Sequence, residues 1–174
     1  MKKVKLNKKP ARIIFLDDGV LATCRVQSSK LEGGTLEDYD PVIVEFLDSI
    51  CIKYLCFVVI TSKKRKLYDD VEWFKSKMVQ SGGSTLADFL FPDCDLWRTT
   101  TTTLECKALE IDDWFNEFAE KYGDNFYIDN YAIIDDNILG SISMHDKHFV
   151  YIENGYDGMG CKDFRKLINI LERD

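Results

Sequence analysis

Arg12-Ile13-Ile14-Phe15-Leu16-Asp17-Asp18-Gly19-Val20-Leu21 is the stretch whose reading decides the fold. Four apolar residues, Ile13 to Leu16, run without interruption into two acids and a glycine. A short apolar run closed by a turn signal suits a strand buried on both faces, the parallel-sheet type. Carboxylates at the C-terminal end of such a strand stand where open α/β sheets bind ligands. Asp-Asp-Gly taken alone also reads as an ordinary turn, so the remainder of the chain has to decide between the two.

Two further strands predicted downstream repeat the pattern. Leu55 to Ile60 is rich in valine and isoleucine and ends at Thr61-Ser62; Tyr131 to Ile134 ends at Asp135-Asp136. Between the strands, helical patterns recur. Asp40-Pro41 supplies an N-cap and a first-turn proline for a helix with Ile43, Phe46, Leu47 and Ile50 on one side. Leu67 to Gln80 and Lys107 to Tyr122 follow, the second carrying Ile111, Trp114, Phe115 and Phe118 in register. Phe89 to Phe91 is a predicted short strand, Phe149 to Ile152 a final one, and Cys161 to Glu172 a closing helix. Ala22 to Asp38 reads as a loop or small flap over the first strand end, and Asp93 to Leu104, with its five threonines, as a loop or edge strand.

Alternating strands and helices imply a mainly parallel sheet between two helical layers, a three-layer Rossmann-like α/β sandwich. The three polar strand ends, Asp17-Asp18, Thr61-Ser62 and Asp135-Asp136, then meet at one edge. A chain of 174 residues, 45% apolar and 30% charged, fits one globular domain over 11–174 behind a basic tail, 1–10. A net charge of -7 argues against whole-surface attraction to nucleic acid or anionic membrane. No run is long enough to span a bilayer. The six scattered cysteines form no Cys-x-x-Cys pair and read as reduced thiols of a cytoplasmic protein. His145 and His148 are too few for a structural zinc and read as a surface loop.

Gathered carboxylates repel one another unless a cation joins them, and oxygen ligands of this kind suit Mg²⁺, which also binds phosphate. A hydroxyl at Thr61 or Ser62 and a lysine at a helix start could hold the other phosphate oxygens, and Lys107 is the best-placed lysine. One carboxylate could attack phosphorus and a second protonate the leaving oxygen. A phospho-acceptor signalling domain uses similar residues. It places its acceptor aspartate at the end of the third strand, ahead of the hydroxyl and the lysine, whereas here the middle strand ends, around Thr61 and Pro92, carry none and the second acidic pair comes late.

In their order these motifs resemble the haloacid dehalogenase-like (HAD) superfamily, and most of all the small HAD domains of Swiss Army knife RNA-repair proteins. The resemblance rests on Ile13 to Asp17 and Asp18 to Leu21, Tyr39-Asp40-Pro41, Val58 to Ser62 with Arg65, Lys107 with Glu110-Ile111 and Trp114, Ile133 to Asp136, and Gly158. It implies Asp17 as nucleophile and Mg²⁺ ligand, Thr61 on phosphate, Lys107 stabilising charge, and Asp135 or Asp136 on the metal. It also implies a phosphatase without a large cap domain, open enough for a phosphorylated substrate as bulky as a nucleic-acid end. Lys63 to Lys66 beside the site would suit that polyanion, though such a run also suits a solvated helix start.

The family pattern is Asp-x-Asp-Gly, and here the acids are adjacent. Counting back from Asp18 as acid/base puts Leu16, which cannot attack phosphorus, at the nucleophile position. Counting forward from Ile13 keeps Asp17 and displaces Asp18. A third reading is that one residue, for example a modified one, is absent from the sequence as written. An active phosphatase and a module that only binds a phosphorylated or nucleic-acid partner are both compatible with the sequence.

Overall fold

The computed structural model describes residues 9–23, 26, 38–68, 70–100, 106–137, 142–153 and 157–173, with the side chains of Asp18, Lys66, Ile142 and Ser143 left aside. The predicted flap over 22–38 falls largely outside these residues, as do tail residues 1–8 and Thr101 to Thr103.

Four strands form one parallel sheet: β1 (Lys9–Leu16), β2 (Cys56–Ile60), β3 (Phe126–Asp135) and β4 (Phe149–Tyr151), in the order β2-β1-β3-β4. Alternation within β1 shows why both faces are covered. Ile14 and Leu16 pack into one core with α1 (Pro41–Tyr54), α2 (Val71–Gln80), α3 (Ser84–Asp88) and α6 (Cys161–Leu171). Ile13 and Phe15 face the other way, onto Ile111, Trp114 and Phe118 of α4 (Lys107–Tyr122). The result is the three-layer α/β sandwich expected from the sequence, with no large cap among the described residues. A short helix, α5 (Ile142–His145), continues through a 3-10 turn into β4.

Several boundaries differ from the sequence expectation, each for a local reason. β1 starts at Lys9, because Lys9 and Pro10 pair with Phe126 and Tyr127; the sheet thus takes in the end of the supposed tail. β3 runs ten residues rather than four, with a bulge opposite Ala11 and Arg12. The extra residue there, Asp129, reaches the Arg12 guanidinium at 3.0 Å. Helix α2 begins at Val71, not Leu67, since Asp70 caps it and Lys63–Lys66 form a separate 3-10 turn. Phe89 to Phe91 is not a strand. Leu90 makes one bridge to Val58, and Arg98 makes another to Ile60, so two short segments stand where a fifth strand would lie.

The histidines lie in no surface loop. His145 is buried and its Nδ1 is 2.9 Å from the Tyr131 hydroxyl, while the His148 ring stacks on Tyr131 at 3.9 Å. Trp97 and Trp114 are buried core residues, Trp114 on the apolar stripe of its helix.

Candidate active site

Parallel register lines up the strand ends. Leu16 pairs with both Ile60 and Ile134, so the next residue of each strand, Asp17, Thr61 and Asp135, falls in one row. The ladder holds that row in place: Asp17 N–H donates to Ile134 O (3.0 Å), Thr61 N–H to Leu16 O (2.9 Å) and Ile152 N–H to Asp135 O (2.9 Å). Asp17 follows Phe15 by two residues and shares its face of the sheet, the α4 side. Leu16 is wholly buried in the opposite core, so Asp17 is the residue that brings a carboxylate to the edge.

Lys107 is the first residue of α4, where the helix dipole disfavours a cation. It is held there by two carboxylates. Its ammonium bonds Asp17 Oδ2, and Asp135 Oδ2 at 2.5 Å. Burial works against its charge, but the two carboxylates outweigh that and raise its pKa. Asp135 has no exposed surface and its pKa is pushed up to about 6. Burial is the main cause and Asp17 adds to it, while Lys107 and the Asn137 N–H (2.8 Å to Oδ1) pull the other way. A group of two acids around one partly buried ammonium is the arrangement from which acid, base and metal chemistry is built.

After Asp17 the chain turns through a single 3-10 turn, Asp18–Val20. Gly19, two residues beyond Asp17, donates its N–H to Asp17 Oδ1 at 2.8 Å. A Cβ at Gly19 would sit 3.0 Å from that oxygen and 3.6 Å from Asp136 Oδ2, so the exposed Asp136 borders the same turn.

The β2 end is braced by Arg65, which is 2% exposed. Its guanidinium bonds the carbonyls of Thr61, Ser62 (2.5 Å) and Thr99 (2.8 Å), and the Glu110 carboxylate at 2.5 Å. In the sequence Arg65 and Glu110 carry no evident role, and the only signals for them are an acid at i+3 from Lys107 on a helix and an arginine shortly after Thr-Ser. Of the two predicted phosphate-binding hydroxyls, Ser62 Oγ accepts the Lys64 N–H at 3.1 Å and caps its turn. Thr61 Oγ1 is buried and has no partner among the described residues.

Another acidic group, Asp93, Cys94 and Asp95, brings potential metal ligands within 4.8 Å of one another. Asp93 is already committed, however, to Lys121 and Tyr122 of α4 and to the N–H groups of Asp95 (2.8 Å) and Leu96 (3.2 Å). It reads as a tether for the far end of that helix.

Parallel strands delivering Asp17, Thr61 and Asp135 to a lysine at a helix start define a Rossmann-like α/β domain of the HAD class. The model of the family described as the HAD domain in Swiss Army Knife RNA repair proteins matches residues 13–159. The chain belongs to that family, within a superfamily of predominantly hydrolytic, phosphatase-like domains. No curated protein and no solved structure matches the chain. No helix of the described residues is long and apolar enough to cross a membrane.

Proposed function

We propose that this domain is a Mg²⁺-dependent phosphohydrolase that works through an aspartyl-phosphate on Asp17. The observation that carries the reading is the single ammonium of Lys107 shared by Asp17 and Asp135, with the unpartnered Thr61 hydroxyl in the same row.

The donor set fits the metal. Asp17 and Asp135 point two carboxylate oxygens at one cation already, hard oxygen ligands of the type Mg²⁺ takes, and the exposed Asp136 lies beside them. Bound there, Mg²⁺ would offset the charge of the carboxylates and of a phosphoryl group. The protein's own groups do the remainder. The Thr61 hydroxyl and Lys107 bind and orient phosphoryl oxygens. An Asp17 oxygen forms a bond to phosphorus as the bond to the leaving oxygen breaks. Asp18 is the residue we assign to protonate that oxygen. Water then cleaves the acyl phosphate and regenerates Asp17. Lys63 and Lys64 flank Thr61 and Ser62 and suit the backbone of a nucleic acid whose end carries the phosphate, a substrate in keeping with the family's description. The reduced thiols are the basis for assigning the domain to the cytoplasm.

One observation favours a second reading. Gly19 occupies the position two beyond Asp17 and carries no side chain, and a Cβ there would crowd Asp17 Oδ1. A domain that binds a phosphorylated or nucleic-acid partner without turning it over would need no acid there.

The test is phosphate release from an aryl phosphate and from a phosphorylated oligonucleotide, with Mg²⁺ and with chelator, in the native protein and Asp17→Asn. Metal-dependent release lost in the variant is expected. Inert protein of intact fold that still binds Mg²⁺ and phosphate would replace the first reading with the second.

A further inference from the structure

Two buried hydroxyls, not one, lack a partner at this edge. Thr99 is 1% exposed and, like Thr61, has an Oγ1 without a hydrogen bond among the described residues. The two threonines are placed alike. Ile60 bridges Arg98, so Thr99 follows Arg98 as Thr61 follows Ile60, and Thr99 extends the row of Asp135, Asp17 and Thr61. Adjacent strands lie about 4.8 Å apart and residues in one row share a face, a spacing at which two hydroxyls can reach different oxygens of one phosphoryl group.

Among the described residues the main-chain polar groups of both threonines are paired and only the hydroxyls are not. Thr61 N–H is bonded to Leu16 O and Thr99 N–H to Ile60 O at 3.0 Å. Both carbonyls accept from the same guanidinium, that of Arg65. Each hydroxyl oxygen exposes less than 1 Å² and has no hydrogen-bond partner among the described residues. A buried hydroxyl left unpaired destabilises a fold, and valine would fill either position without that cost. A single cation thus grips two residues by their backbones and leaves each with one unused donor.

We propose that Thr99 is a second phosphate-binding hydroxyl of this site, acting beside Thr61 and held in place with it by Arg65. This rests on reading the edge as a phosphate site. The tetrahedral, multiply charged phosphoryl group is the ligand whose oxygens accept from both hydroxyls at once, and a hydrogen bond to a charged acceptor is among the stronger ones.

The experiment is calorimetric titration of the full chain with inorganic phosphate in the presence of Mg²⁺, paired with thermal melts, for Thr99→Val, Thr99→Ser and Thr61→Val. Thr99→Val is expected to melt no lower than the native protein while binding phosphate about tenfold more weakly. Thr99→Ser keeps the hydroxyl and restores the affinity. Native affinity in a folded Thr99→Val alongside weakened Thr61→Val overturns this inference and leaves the phosphate site standing. Phosphate binding absent from the native protein, or untouched by Thr61→Val, overturns both.

Discussion

Arg65, which is buried, and Lys107, which is partly buried, both serve the sheet's C-terminal edge, and they are used in opposite ways. Among the described residues Arg65 bonds the Glu110 carboxylate and otherwise backbone carbonyls, so its donors are met by one acid and by fixed main-chain acceptors. Lys107 stands between two carboxylates, one of them, Asp135, with its pKa pushed up to about 6. The first arrangement is closed and the second contested. A closed ion pair fixes geometry, whereas a contested ammonium can exchange one of its carboxylates for a phosphate or yield a carboxylate to a metal. The contrast separates support from chemistry within a single edge of the sheet.

The largest effect should come from opening the closed pair. Glu110 and Arg65 side chains are 4% and 2% exposed, so Glu110→Ala leaves a guanidinium buried without its counter-charge. Losing one partner of such a pair costs about 3–5 kcal/mol, which for a domain of this size lowers the melting temperature by on the order of 10 °C. Urea titration of the variant checks it. A loss below about 1 kcal/mol, the scale of an exposed pair, would mean that Arg65 braces nothing.

Lys107→Met should do the reverse: a loss of turnover of about 10²–10³-fold, the scale of removing one charge-stabilising donor, with a stability change that depends on pH. In the native protein the folded pKa of Asp135 lies above that of a free carboxyl, so its contribution to stability is present at low pH. It is lost as pH rises from about 4 through about 6, where the unfolded chain releases the proton and the folded one holds it. Without Lys107 the main lowering influence on Asp135 disappears, while burial and Asp17 remain. The variant should therefore melt closer to the native protein at pH 5 than at pH 7.5. Equal deficits at both pH values would show that Asp135 carries no such burden.

Much of this edge could be read from the sequence because parallel strands are buried on both faces. Ile13 to Leu16 is an unbroken apolar run, and where it stops the polar ligands must begin. The Asp17 and Asp135 ends were legible for that reason, and Lys107 because α4 has a strong helical period behind it. Thr99 was not legible. Its place depends on one bridge from an irregular segment to Ile60, and five threonines in a row give no sign of which one a distant strand will fix. Arg65 looked like one member of a basic run until Ser62 capped a separate turn and the α4 side chain of Glu110 met it. The early half of β3 was missed because Phe126 to Asn130 lies at a partly exposed end of the sheet and mixes polar with aromatic residues.

The smallest effect tests a third cation, at the other end of α4. Lys121 is half-exposed and pairs with Asp93, whose oxygens also take the Tyr122 hydroxyl and two backbone N–H groups. Burial raises the Asp93 pKa, but Lys121, Tyr122 and the backbone donors outweigh it and hold the carboxyl down at about 2. A folded pKa below the unfolded value near 3.8 stabilises the protein above about pH 4, and the benefit fades as pH falls through about 2. Asp93→Asn should thus lower the melting temperature modestly at pH 7, with the gap to the native protein closing toward pH 2. Salt should narrow the gap as well, because an exposed partner is screened. Turnover should be unchanged, since Asp93 sits at the end of α4 away from Lys107. A loss of activity without loss of stability in this variant would mean that the acidic group at Asp93 to Asp95 holds something other than the helix, and would place chemistry at both ends of α4.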